Sequence, residues 1–259
     1  VINKMQKFAV LFQKELVEGW KTYKIILVFA ACIILGLAVP FWADATYHGD
    51  PLFNPLRSGY IFSQFIYVLM IIMAALVPFT LMSTVAKEVK DGLAATILVK
   101  PVGRGAYILS KLLAAFIIFA LAITIGMAIC WFYAVNTTNP LDPDPVSLQL
   151  FLQCLGFVLL YMVFAISLTI LCSTIFNNRI VAGGIALALL AALFTLSYTD
   201  PIREFMPSEI VRWGMELVYP YSFPSDTATN PYWTALGVNI GAILIFISSS
   251  ILIIKKKEI

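Results

Sequence analysis

Residues 60–84, YIFSQFIYVLMIIMAALVPFTLMST, run without one acidic or basic side chain. A stretch this long and this apolar fits a helix that crosses a membrane. About 20 residues at a rise of ~1.5 Å each span a hydrocarbon core of about 30 Å, with the backbone groups bonded inside the helix. Working outward, comparable runs lie at Ile25 to Ala43, Leu112 to Val135, Leu148 to Ile175, Ile180 to Tyr198 and Tyr232 to Ile254. The chain is 61% hydrophobic and 12% charged, against roughly half and a quarter in soluble domains. These runs predict an all-α, polytopic membrane protein of six spans. The small residues ADA at 43–45 follow the first run as they follow a signal peptide's core. That run is longer than the usual core of about 7–15 residues, and residues 1–24 precede it, so we read it as a span.

Charge orients the bundle, because Lys and Arg beside membrane spans gather on the cytoplasmic side. With the N-terminus inside, 14 of the 17 basic residues are inside, among them Lys4, Lys7, Lys14, Lys21, Lys24, Lys87, Lys90, Lys100, Arg104, Lys111, Arg179 and Lys255 to Lys257; only Arg57, Arg203 and Arg212 are outside. Six spans return the C-terminus to the same side. The expected setting is the plasma membrane with both termini cytoplasmic, and the basic balance reflects insertion rather than nucleic-acid binding. Before the first span, Met5, Phe8, Ala9, Phe12, Leu16 and Trp20 share one side of a helical wheel, with Lys7, Lys14, Glu18 and Lys21 opposite. Residues 1–24 therefore read as an amphipathic helix at the inner interface.

Outside, NTTNPLDPDP at 136–145 is too rich in Pro and Asp for regular structure. Residues 199–231 read as a re-entrant region at the outer surface. Ser208 is placed to cap a short helix whose Ile210, Trp213, Gly214 and Leu217 share a face, with Tyr219, Tyr221 and Trp233 as interfacial aromatics. Cys32, Cys130, Cys154 and Cys172 all fall inside spans, without a CxxC pair or a nearby His, and read as buried small hydrophobes. No metal site is expected.

Enzymes that work inside a membrane need ionisable or nucleophilic groups at depth. The single His, His48, lies in an outer loop, and the interiors of the predicted spans carry no Asp, Glu, Lys or Arg. Proteolysis within the membrane and proton pumping are therefore not expected. Most of the Ser and Thr in the spans can bond to their own helix. Gln64 has an amide to satisfy at depth, and with Thr80 and Thr195 it is a candidate for lining a substrate pathway. Gly184, Ala188 and Ala192 recur every four residues, a spacing that lets helices approach closely, either within the chain or between two permeases. The sequence has no GxxxxGK[ST] phosphate loop, so ATP-driven work would fall to another polypeptide.

Between the second and third spans, residues 85–111 hold more than a tight turn needs. TVAKEVKDGLAATILV from Thr84 reads as a short helix, with Val85, Val89, Leu93 and Ile97 near one face, stopped by Pro101. The order Glu88, Gly92, Ile97, Leu98, Pro101, Arg104, Lys111 resembles the loop after the second of six spans in permease subunits of ATP-binding-cassette (ABC) exporters of the ABC-2 class. Leu93 and Thr96 stand where that family has Thr and further leucines. The entry helix, the six spans and the outer re-entrant region extend the resemblance over the whole chain.

The resemblance implies the type V exporter fold as a single transmembrane domain over residues 1–259: interfacial helix 1–24, spans 25–84, coupling loop 85–111, spans 112–198, re-entrant region 199–231, and last span with basic tail 232–259. It implies two copies of an ABC ATPase subunit that bind ATP and Mg, and a second permease, identical or related. Glu88, Val89, Gly92, Leu93, Ile97, Pro101 and Arg104 would couple to the ATPase, and the Gly184, Ala188, Ala192 stripe would face the second permease. The expected role is non-enzymatic: a pathway for an amphipathic or hydrophobic cargo such as a peptide, an antibiotic or a lipid. A sensor in an ABC-like resistance module, without net transport, is the alternative.

Overall fold

The computed structural model describes residues 4–21, 23–47, 57–86, 88, 103–137, 146–199, 202–219 and 232–256. Eight α-helices occupy them: α1 Lys4–Trp20, α2 Tyr23–Tyr47, α3 Arg57–Leu81, α4 Arg104–Thr137, α5 Leu148–Ile175, α6 Arg179–Leu196, α7 Glu209–Val218 and α8 Tyr232–Lys256, with a 3-10 turn at Ile202–Phe205 before α7. Six of them, α2 to α6 and α8, are long and apolar enough to cross a membrane.

Helix α3 is central and packs on α2, α4, α5, α6 and α7; α2 flanks α3 and α4, α6 flanks α3 and α5, and α8 lies mainly along α5. The core is correspondingly made of Phe62, Phe65 and Leu69 of α3, Phe119 and Met127 of α4, and Phe164 and Ile166 of α5, all essentially inaccessible. Lipid is as apolar as Leu, so a membrane bundle is held by close fit more than by exclusion from water. The fit is tightest where α2 crosses α4: a Cβ on Gly36 would lie 2.7 Å from the Gly126 carbonyl oxygen, and one on Gly126 2.7 Å from that of Cys32. The four cysteines are free and buried, as the sequence implied.

Several local expectations change. Helix α4 starts at Arg104 rather than near Leu112, because the apolar pattern continues through Tyr107 and Ile108 into a polar first turn. Helix α3 stops at Leu81, one turn past Pro78, and residues 82–85 form a turn. On α1, Leu11 is buried and Phe8 and Phe12 are half-buried, whereas Ala9 and Trp20 of the expected apolar side are exposed. The cause is contact with α4, which turns Glu15 toward the bundle. Ser208 precedes α7 in a helical backbone conformation and its side chain makes no cap bond. Leu217 is 38% exposed and does not share the buried face of Ile210 and Gly214.

One end of the bundle is basic. There the start of α4 meets both chain-terminal helices: Lys111 Nζ lies 3.0 Å from Glu15 Oε1 of α1, and Arg104 Nη1 donates to the Lys255 carbonyl of α8 at 2.7 Å. Helices α1 and α8 therefore both meet α4 at this end.

Candidate functional site

The segment leaving α3 at the basic end is gripped from several sides. Its turn closes through bonds from Met82 N to Pro78 O (2.8 Å) and from Thr84 N to Leu81 O (3.0 Å). Ser173, in the last turns of α5, then uses its whole hydroxyl. Its oxygen accepts from Val85 N and Ala86 N, each at 3.1 Å, and its O–H donates to the Met82 carbonyl at 3.3 Å. One donor and two acceptor positions are all that a serine offers. From α6, Gly183 backs onto the same turn so closely that a Cβ there would lie 2.7 Å from Met82 Cβ.

Glu88 follows, and it is buried. Lys14 of α1 donates to its Oε1 at 3.3 Å, Lys111 of α4 lies 2.9 Å from its Oε2, and the Tyr107 hydroxyl donates to that same oxygen. Lys111 is 1% exposed at its side chain and is shared between Glu88 and Glu15. Burial pushes the Glu88 carboxyl up, but the Lys111 charge and the Tyr107 and Lys111 hydrogen bonds outweigh it and hold the group below its ordinary range. Burial alone would lower Lys14, yet Glu88, Glu15 and Glu18 keep it above its ordinary value. The result is an ionised cluster joining α1, the post-α3 segment and α4.

The sequence profile described as ABC-2 family transporter protein matches residues 42–254, most of the chain. The chain belongs to this family. The uncharacterized transmembrane protein YxlG of Bacillus subtilis (strain 168) is 28% identical to it over 220 residues, covering 80% of this chain and 83% of the relative. The protein is thus an ABC-2 transporter membrane component, of a family whose permeases pair with ABC ATPase subunits and are in general non-catalytic themselves.

Of the residues assigned to this ABC-2 permease's coupling loop, Val89, Gly92, Leu93, Ile97 and Pro101 lie outside the described residues, as does most of the expected helix. Glu88 turns inward to its three partners, and Arg104 reaches α8. Thr80 is buried, bonds to the Leu76 and Val77 carbonyls, and lines a cavity at the basic end. Gln64 is half-buried on α3, while Thr195 is exposed on α6 and bonds to the Ala191 carbonyl. These three residues do not share one surface. Gly184, Ala188 and Ala192 are exposed, while Ala182, Gly183, Ala186 and Leu190 form the buried side of α6.

Sequence reasoning missed Ser173 and the pairing of Glu15 with Lys111. One signal was available: a lysine two turns into an apolar helix needs a carboxylate. The acids on that side of the predicted membrane are few: Glu15, Glu18, Glu88, Asp91 and Glu258.

Proposed function

We propose that this chain is the permease subunit of an ATP-driven exporter for an amphipathic or hydrophobic cargo, driven by two ATPase subunits that bind ATP and Mg, and paired with a second permease. The basic end is cytoplasmic in the plasma membrane, and residues 85–104 form the element that docks on the ATPase. The observation that carries this reading is the anchoring of the segment's first residues. A load applied to residues 89–104 enters the bundle at Ser173 and Glu88, and from there reaches α5, α4 and α1. Glu88 acts from inside, as a positioning residue. The docking contact falls to Val89, Leu93 and Ile97, each contributing about 1.5–3 kcal/mol if fully buried, less the cost of docking. The stripe of Gly184, Ala188 and Ala192 is the surface offered to the second permease.

The test is co-purification of the ATPase with variants of the chain. Leu93→Asp lowers ATPase recovery, whereas Lys257→Ala, in the basic tail, leaves it unchanged. Full recovery with Leu93→Asp would remove the docking assignment.

A further inference from the structure

A cavity of about 300 Å³ opens at the basic end, bounded by the second half of α1, the start of α2, the end of α3, the first turns of α4 and the start of α6. That volume is at the small end of ligand sites. Part of its lining is apolar, formed by Val28, Ala115, Ile118 and Phe119, and part is charged, with Glu15, Glu18, Glu88, Lys111 and Arg179.

The charges around the cavity are unevenly matched. Lys14 and Lys111 serve all three carboxylates, leaving one negative charge in excess. Glu18 has the weakest hold: its side chain is 62% exposed and its one ion pair among the described residues is with Lys14 at 3.6 Å. Arg179 is exposed and makes no ion pair with another described residue. One cavity thus offers a surplus carboxylate, a cation with no ionic partner among the described residues and a greasy wall. A soluble zwitterion would leave the wall uncovered, and an anionic amphiphile would meet three carboxylates. A plain hydrocarbon would leave both charges unanswered.

We infer that the cavity at the basic end binds the head of a zwitterionic aminophospholipid, its ammonium at Glu18, its phosphate at Arg179 and the start of its acyl chains against Ile118. Cationic side chains between spanning helices hold lipid phosphates, which is the part given to Arg179; the surplus carboxylate selects an amine-bearing head. The site stands independently of the transport reading, since it requires only that the chain be in a membrane.

Native mass spectrometry of the purified, detergent-solubilised chain tests this with four probes: phosphatidylethanolamine, phosphatidylglycerol and diacylglycerol of identical acyl chains, and free phosphoethanolamine. Phosphatidylethanolamine is retained about tenfold more than the other two lipids, as expected for a charge-assisted contact. Free phosphoethanolamine is not retained. Glu18→Gln brings phosphatidylethanolamine down to the phosphatidylglycerol level, and Arg179→Gln weakens both phospholipids. Both side chains are exposed, so unchanged thermal melts are expected and show that the variants are folded. Equal retention of the three lipids, tight binding of phosphoethanolamine alone, or parental phosphatidylethanolamine retention in either folded variant would overturn the assignment. None of these readouts involves the ATPase, so they separate failure of this site from failure of the exporter reading.

Discussion

At the basic end, Lys14, Glu88, Glu15 and Lys111 join groups 74 and 96 residues apart in the chain. At the far end, Arg203, Glu209, Arg212 and Glu216 form another ionic cluster, but its members lie within one short segment, with contacts of 3.1, 3.6 and 3.5 Å. The first cluster holds separate elements together, and the second stiffens a single piece. What fastens that piece to the bundle is shape. A Cβ on Gly59 would strike the Val218 carbonyl, Trp213 stacks on Phe157 at 4.7 Å and on Tyr232 at 5.1 Å, and Asn239 Nδ2 donates to the Pro207 carbonyl at 3.0 Å. The two ends teach different lessons about attachment. Charge holds where a moving partner is proposed to act, and close contact holds where α7 covers the opposite end.

The carboxyls titrate in opposite directions for the same reason. Burial wins at Glu209, despite Arg203 and Arg212, and also at Glu216, so both sit above the ordinary range. Arg212 is itself lowered, first by burial. At Glu88 the lysine and tyrosine win.

The comparison can be broken most forcefully by removing the buried cation. Lys111→Met leaves Glu88 and Glu15 without their nearest charge and should cost about 3–5 kcal/mol. Arg203→Met, at a partly exposed site whose partner keeps Arg212, should cost about 1 kcal/mol. Thermal melts in detergent read both, and equal losses would mean that the two clusters do the same job.

A smaller effect sharpens the claim about shape. Gly59→Ala overpacks the α3 to α7 contact and should cost about 1–3 kcal/mol. It should raise hydrogen exchange over Glu209–Val218 and leave residues 82–86 as they were. Faster exchange at the basic end instead would contradict independent fastening of the two ends.

The smallest effect is in pH. A carboxyl whose folded pKa is raised contributes stability that is full below its unfolded value and lost as pH rises through the folded one. Going from pH 7 to about 5 therefore firms α7 as Glu209 and Glu216 begin to bind protons. Glu88, whose folded value is lowered, keeps its full contribution above the ordinary ~4.3 and loses it as pH falls from there through the lowered value. Exchange protection, corrected for intrinsic rates, should rise over Glu209–Val218 and stay flat around Ser173. Loss of protection at Ser173 in this window would reverse the assignment.

Much of this architecture was legible because membrane spans carry their own signal. Leu148–Ile175 was read to the residue, and the others within a few residues except at the start of α4. What stayed hidden depended on partners far along the chain. Trp20 reads as part of one apolar side on a wheel of α1 alone, and only the reach of Lys111 for Glu15 shows which residues of α1 meet the bundle. Glu88 looked like a group reaching outward, because its neighbours Lys87, Lys90 and Asp91 are polar, and nothing local points to Tyr107. The close approach of Gly36 to Gly126 is likewise invisible until α2 and α4 are placed together. The substrate-pathway candidates fared differently for the same reason: Ser and Thr in a span satisfy themselves locally, and only Thr80 came to line the cavity.

The central claim is that the Glu88 cluster passes movement of the post-α3 segment into the bundle. Its most direct test is the ATP hydrolysis rate of the reconstituted complex in nanodiscs, per assembled complex, with Glu88→Gln. The substitution keeps the size of the side chain and removes the charge held by Lys14 and Lys111. Parental recovery of the ATPase together with a hydrolysis rate lowered roughly fivefold, the equivalent of about 1 kcal/mol for a weakened charge-assisted contact, is the predicted result. Parental recovery with a parental rate would contradict it.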